Sequence, residues 1–168
     1  MSKNISDYEF RTSPIEITYL DDEPLKLDKN LSFFHNKIKF RKELTRLQFI
    51  FKDYTGISLP ASAIRDSYLN QKYSENFFIV IFTTNQGIKN ANLVLDSYQN
   101  TNIKPGCFYL ESKSEYMLLL AKDMKGLILG IDTLEDILNQ TFKQYFEQKN
   151  IDEYIKIKSF KLFNCVEE

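Results

Sequence analysis

Short alternations of apolar and polar residues recur along this chain and predict a protein rich in strands. Ile15, Ile17 and Tyr19 alternate with polar residues, and a turn at residues 21–24 precedes a return strand over 25–27. Other segments have the apolar or alternating pattern of strands, and these are residues 31–34, 37–40, 77–82, 107–110, 116–121 and 154–163.

Two parts of this pattern also predict how strands are arranged. Residues 77–82 are apolar throughout, which is typical of a central strand covered on both faces of a sheet. Residues 107–110 and 116–121 are joined by the polar segment 111–115, which predicts a hairpin.

Two longer segments have the spacing of amphipathic helices. In residues 42–55 apolar side chains recur every three or four positions, and Gly56 is a typical residue for the end of such a helix. A second helix is predicted over 124–147, with Asp123 as its N-terminal cap.

The second helix carries a face of small residues beside its apolar stripe. Gly126, Gly130 and Thr133 form this face. A glycine inside a helix costs about 1 kcal/mol relative to alanine. We therefore expect a sheet or another helix to lie very close here, and Gly126, Gly130 and Thr133 are the candidate packing or interface residues.

The order of the elements is strands, helix, strand, hairpin, helix, strand, with no repeat and no linker. This order predicts an α+β fold in which two main helices pack on a mixed sheet. We expect a single domain over residues 14–168, preceded by a flexible N-terminal arm over residues 1–13.

Three segments also carry a family pattern. A proline-led strand and hairpin occupy residues 14–27, and a helix over 44–55 ends in the sequence Tyr-Thr-Gly-Ile-Ser-Leu-Pro. In the third and most specific segment, a strand over 106–110 leads to an A-x-D-x-x-G turn at 121–126 and a G-x-x-T-L helix at 130–134.

Together these segments resemble the N-terminal accessory domain of glycoside hydrolase family 20 β-N-acetylhexosaminidases. They are similar also to the related N-terminal domains of hyaluronidase-like O-GlcNAc hydrolases and of α-glucuronidases. In those enzymes the catalytic acids and the sugar pocket lie on a barrel that follows this domain. The final strand here lacks the family's Pro and Arg-Gly pair, so we expect no barrel to follow it.

The resemblance therefore implies a standalone, non-catalytic domain to which no catalytic residue is carried over. Because the family's domain packs against its barrel, we expect this one to act through a protein partner or as a homodimer. The alternative is a carbohydrate-binding protein, or a fragment of a glycoside hydrolase, in which Tyr98, Tyr109 or Tyr116 stack on sugar rings.

Charge restricts the other partners. The chain has 22 basic and 23 acidic residues and a net charge of −1, which argues against bulk electrostatic binding to nucleic acid or to anionic membranes. A lesser alternative, binding of single-stranded nucleic acid, rests on basic residues interleaved with aromatic ones. These basic residues are Lys37, Lys39, Arg41, Lys42 and Arg46.

Catalytic and metal-binding patterns are sparse. His35 is the single histidine, so we expect no metal site and no cofactor, and we interpret His35 as structural. Two acidic clusters are expected to be a solvated turn and a solvated helix face. Their members are Asp21, Asp22 and Glu23 in the turn, and Asp132, Glu135 and Asp136 on the helix.

The two cysteines and the chain's hydropathy bear on the compartment. The spacing of Cys107 and Cys165 fits no metal or redox motif, so they are expected to be buried, reduced thiols. No segment is long and apolar enough to span a membrane, and residues 1–7 have no signal-peptide core. We therefore expect a cytoplasmic protein.

Overall fold

A computed structural model describes residues 8–36, 40–63, 78–83, 98, 101–147 and 154–167. In chain order the elements are β1 (Glu16–Tyr19), β2 (Leu25–Leu27), β3 (Ser32–His35), α1 (Arg41–Thr55), β4 (Ala61–Ala63), β5 (Phe78–Thr83), β6 (Cys107–Ser112), β7 (Tyr116–Ala121), α2 (Met124–Glu147), β8 (Ile155–Ile157) and β9 (Phe160–Cys165).

Seven strands form one mixed sheet in the order β1-β9-β6-β7-β5-β3-β4, and β2 pairs with β8 in a separate two-stranded sheet. In the described chain every strand pair is antiparallel except β3 and β4, which are parallel. The β6–β7 pair confirms the predicted hairpin. In the described part of the chain the architecture is a single α+β domain with two helices and a large mixed sheet, which is the expected fold class.

Successive side chains point to opposite faces of the sheet, so each strand contributes to two layers. We call the face that carries Phe108 and Leu119 the helix face, because it packs with both helices in the main core. The other face, which we call the far face, carries Cys107 and Leu118 in a second apolar cluster. All six side chains of β7 are buried. Strand β7 is therefore a central strand, covered on both sides.

The two helices lie side by side on the helix face and run in the same direction. Arg46 of α1 contacts the middle of α2, whereas Tyr54, two turns later, stacks on Phe142 and Phe146 near the end of α2. Helix α1 ends as predicted at Gly56, whose φ of 74° is the left-handed conformation and whose N–H donates to the carbonyl oxygen of Lys52 at 2.8 Å.

One predicted strand proved wrong. Residues 154–163 do not form a single strand, because β8 pairs with β2 and β9 pairs with β1 and β6. The strand pattern is interrupted at Ser159, between β8 and β9. The Ser159 hydroxyl donates to the carbonyl oxygen of Glu23 at 2.7 Å, and the Ser159 carbonyl oxygen accepts the N–H of Leu20. Of the segment predicted as a strand over 37–40, residues 37–39 lie outside the described chain.

The expected N-terminal arm is described from Tyr8 onward, and this part packs on the domain. The Tyr8 side chain is buried, its backbone N–H donates to the Tyr19 hydroxyl at 3.0 Å, and its own hydroxyl accepts from the N–H of Lys158. Residues 1–7 lie outside the described chain.

Candidate functional site

The turn from β7 into α2 is organised by Asp123, as the sequence predicts. Its carboxylate accepts the N–H of Gly126 at 2.9 Å, which caps the helix. Both carboxylate oxygens also accept the N–H of Gly106, at 3.0 and 2.9 Å. One side chain therefore joins the start of α2 to the residue that precedes β6, a second role that the sequence pattern did not reveal.

The small-residue face of α2 lies directly on the sheet. A Cβ atom added to Gly126 would overlap the backbone carbonyl oxygen of Cys107, and one added to Gly130 would stand 2.6 Å from Cδ1 of Leu119. Thr133 is also buried, and its hydroxyl donates to the carbonyl oxygen of Leu129 at 2.9 Å. Gly126 and Gly130 therefore pack directly on the sheet, and Thr133 is buried beside them.

The two cysteines are joined by a disulfide, so the expectation of reduced thiols is wrong. Cys107 and Cys165 face each other directly on the antiparallel strands β6 and β9, with their Cα atoms 3.9 Å apart. No local pattern predicts this bond, because the two residues are 58 positions apart and meet only when these strands pair.

A buried carboxyl group lies on the far face of the sheet. The Glu111 side chain is 3% exposed, and its Oε1 lies 3.8 Å from Nζ of Lys161 and 3.9 Å from Nζ of Lys113. Its Oε2 makes no hydrogen bond to any residue in the described part of the chain. Burial raises the pKa of Glu111 above its ordinary value, and the two lysines only partly oppose this.

The three tyrosines proposed to stack on sugars meet beside this carboxyl group. The hydroxyl oxygens of Tyr98 and Tyr116 are 3.1 Å apart, and the ring of Tyr98 lies 6.2 Å from that of Tyr109. Tyr98 and Tyr116 are buried, so their ring faces are not available to a ligand, whereas Tyr109 is half-buried. Burial raises the pKa of Tyr109 to about 12.

Sequence reasoning missed Glu111 by assigning residues 111–115 to a polar hairpin loop. Strand β6 instead continues to Ser112, which places Glu111 opposite Leu118 on β7 and Lys161 on β9. The available signal was the period of two along β6, in which Cys107 and Tyr109 precede Glu111 on the same face.

The acidic residues of α2 form ion pairs, and the expectation of a merely solvated face is wrong for them. Arg46 donates to both carboxylate oxygens of Glu135 and to Asp132. Arg11 donates through Nε to Asp136 at 2.8 Å and through Nη2 to Glu135 at 3.1 Å. The cluster therefore ties α1 and the N-terminal segment to α2.

The ion pairs of this cluster shift the pKa values of its members. The hydrogen bonds that Arg46 donates to the Glu135 carboxylate raise the pKa of Arg46 above its ordinary value. Burial alone would raise the pKa of Glu135, but the hydrogen bonds from Arg46 and Arg11 outweigh it, so this pKa lies below the ordinary value. Because the guanidinium of Arg46 is already paired with carboxylates, it is poorly suited to bind a nucleic-acid phosphate. Lys37 and Lys39 of the basic stretch lie outside the described chain.

The remaining candidates lie in an exposed turn and in a buried strand. Asp21, Asp22 and Glu23 are exposed in the turn before β2, as expected. His35 is buried in β3. Among the described residues, no group of three or more His, Cys, Asp or Glu side chains is placed to hold a metal ion, and no helix is long and apolar enough to cross a membrane.

An exposed group of stacked aromatic rings lies where the two helices end. Phe146 is 53% exposed and Tyr54 is 37% exposed, and their rings stack at 6.3 Å with an angle of 5° between the planes. Tyr145 packs edge-on against Phe146 at 5.1 Å. We call Tyr54, Tyr145 and Phe146 the aromatic surface.

Comparison of the sequence with models of known protein families and with characterised proteins found no match. The resemblance to the hexosaminidase accessory domain stays a prediction from the residues.

Proposed function

We propose that this chain is a non-catalytic contact module that forms a homodimer through the aromatic surface. The observation that carries the proposal is the half-exposed ring of Phe146, stacked in a fixed position on Tyr54. Aromatic side chains supply much of the binding energy in protein interfaces, because they remove a large area from water with few rotatable bonds.

The core supports Tyr54, the ring on which Phe146 stacks, before any partner binds. Tyr54 stacks on the fully buried Phe142 at 5.1 Å, and Phe142 packs edge-on against Phe51 at 5.0 Å. A ring that is already ordered loses little conformational entropy on association, so its buried area contributes more fully to affinity.

The net charge of the chain allows a second copy to be the partner. The net charge of −1 gives two copies almost no mutual repulsion. A two-fold dimer presents the same surface twice, and the aromatic surface can stack on its own copy because aromatic rings pack well against one another.

The test is gel filtration with light scattering over a hundredfold dilution, on the wild type and two variants. Phe146→Ser removes the most exposed ring of the aromatic surface. Phe49→Ser is the matched control, because Phe49 is 58% exposed on α1 and lies about 140° around the helix from Tyr54.

We expect the wild type and Phe49→Ser to show a dimer mass that falls on dilution, and Phe146→Ser to be monomeric throughout. A wild type that is monomeric at every concentration, or an equal loss in both variants, would contradict the proposal.

A second candidate function is the binding of a hydroxylated ligand such as a sugar at Glu111 and Tyr109. Oε2 of Glu111 has no hydrogen-bond partner among the described residues, and the half-buried ring of Tyr109 lies two residues away on the same strand. Because Glu111 is itself buried, a hydroxyl group can donate to Oε2 only after the side chains that cover it move aside. The two neighbouring lysines favour a sugar that carries an acidic group.

Calorimetric titration with matched neutral and acidic oligosaccharides tests this candidate. We expect Glu111→Gln to weaken binding at least tenfold and Glu115→Gln, a change at an exposed residue of the β6–β7 turn, to leave it unchanged. Absence of heat with both ligand sets would remove the candidate.

A further inference from the structure

From the pairing of its two cysteines we infer that this chain folds and works in an oxidising compartment, with Cys107 and Cys165 bonded to each other. The N–H of Val166 donates to the carbonyl oxygen of Gly106 at 2.8 Å, and the two cysteines are the next pair along these strands. Hydrogen-bonded and non-hydrogen-bonded pairs alternate between antiparallel strands, and Cα atoms come closest at the latter. Cys107 and Cys165 occupy such a non-hydrogen-bonded position, where their side chains lie next to each other.

The bond leaves the chain without a spare thiol. The sequence contains two cysteines, and both take part in this disulfide. Disulfides persist in oxidising compartments, whereas thiols of cytosolic proteins are kept reduced. This use of cysteine is therefore typical of an exported chain, in contrast to the cytoplasmic location expected from hydropathy.

Formation of the bond needs an oxidant, which is a second disulfide on a protein or on a small molecule. One thiolate of the pair attacks a sulfur of that disulfide and releases its partner as a thiol. The other cysteine then attacks the mixed disulfide and releases the second thiol. Cys107 and Cys165 together lose two protons and two electrons, and the oxidant is reduced to two thiols.

The bond fixes the corner of the domain where three elements meet. The backbone of Cys107 lies beneath Gly126 at the start of α2. The N–H of Gly106 donates a hydrogen bond to the Asp123 carboxylate, and the carbonyl oxygen of Gly106 accepts one from Val166. The disulfide therefore fastens the end of β9 to the strand on which α2 rests. Reduction should loosen that end of the sheet and lower the thermal stability of the whole domain.

The experiment produces the full chain in two compartments of one bacterial host, the cytosol and, behind a cleavable leader, the periplasm. Each sample is quenched with an alkylating agent, and mass spectrometry then reports free or bonded cysteines. Thermal unfolding is measured with and without reductant on the wild type, on Cys107→Ala, on Cys165→Ala and on the double variant.

We expect the periplasmic wild type to contain the Cys107–Cys165 cross-linked peptide and the cytosolic one to contain two free thiols. Reduction should lower the melting temperature of the wild type by about 10 °C, because the bond closes a long loop. It should leave the double variant unchanged. Each single variant should have the same melting temperature as the double variant, since all three lose the same disulfide.

Free thiols in the periplasmic chain would overturn the inference. A cytosolic, fully reduced chain that melts with the oxidised protein would overturn it equally, because the fold would then have no need of an oxidising compartment. Both outcomes are independent of whether the protein dimerises.

Discussion

The backbone of Cys107 lies directly beneath Gly126, so α2 rests on β6 with no side chain between them. This contact explains why α2 has a glycine at its third residue, where every residue type except proline has a higher helix propensity. A Cβ atom at residue 126 would overlap the backbone carbonyl oxygen of Cys107, which cannot move away as the end of a flexible side chain can.

Gly126→Ala should therefore destabilise the protein. We expect the free energy of unfolding to fall by about 2 kcal/mol or more, because overpacking against backbone outweighs the gain of about 1 kcal/mol in helix propensity. Gly130→Ala is the matched control, since its Cβ would meet the flexible end of Leu119 and should change stability by less than about 1 kcal/mol. Urea unfolding measures both, and equal stability of Gly126→Ala and the wild type would refute the contact.

Asp123 should be the most sensitive polar residue of the helix start. Asp123→Ala leaves the N–H groups of Gly126 and Gly106 without their acceptor, and we expect a loss of about 2 kcal/mol. Asp123→Asn keeps one acceptor oxygen and should lose less than half as much. If the two variants unfold at the same urea concentration, the carboxylate does not join the helix to Gly106 as described.

The ion pairs of Glu135 predict a dependence of stability on acid pH. Because the folded pKa of Glu135 is lowered, its contribution is present above the unfolded value near 4.5 and is lost as the pH falls through the folded pKa. Glu135→Gln should cost about 1 to 2 kcal/mol at pH 7, and this difference should vanish in acid. Unfolding curves from pH 7 to pH 2 measure it, and a cost that is independent of pH would contradict the pairing.

Glu111 should change the stability in the opposite direction, so that its ionised form lowers the free energy of unfolding. Since burial raises its folded pKa above the unfolded value near 4.5, ionisation of Glu111 destabilises the fold at neutral pH. Glu111→Gln should raise the free energy of unfolding at pH 7, and the gain should disappear as the pH falls below about 4.5. Residues retained at a cost to stability are often functional, so a stabilised variant would strengthen the case for a ligand at this position. A destabilised variant at pH 7 would argue that the carboxylate is a structural partner of the two lysines.

Features that depend on local sequence were predictable. Asp123 caps the start of α2 and Gly56 ends α1, both through interactions with residues a few positions away. The position of Gly126 on its helix likewise indicated a close contact. Even there the contacted element could not be named, because periodicity does not identify a partner.

Features that depend on distant pairing were not predictable. The bond between Cys107 and Cys165 and the burial of Glu111 both arise because β9 lies next to β6. The division of residues 154–163 into β8 and β9 has the same origin, since a strand pattern does not reveal which sheet the strand joins. Contacts of this kind are set by the whole fold. A local pattern, such as the period of two along β6, gives the face on which a residue lies but not the strand that it meets.

The most direct test of self-association uses the absence of tryptophan from the chain. Phe146→Trp places one indole in the aromatic surface, and Phe49→Trp places one elsewhere on the helix layer as the control. We predict that the emission of Phe146→Trp shifts to longer wavelength on dilution, over the same concentrations at which the mass falls from dimer to monomer, while the control stays constant. An emission maximum for Phe146→Trp that does not change across that range would contradict a dimer built on the aromatic surface.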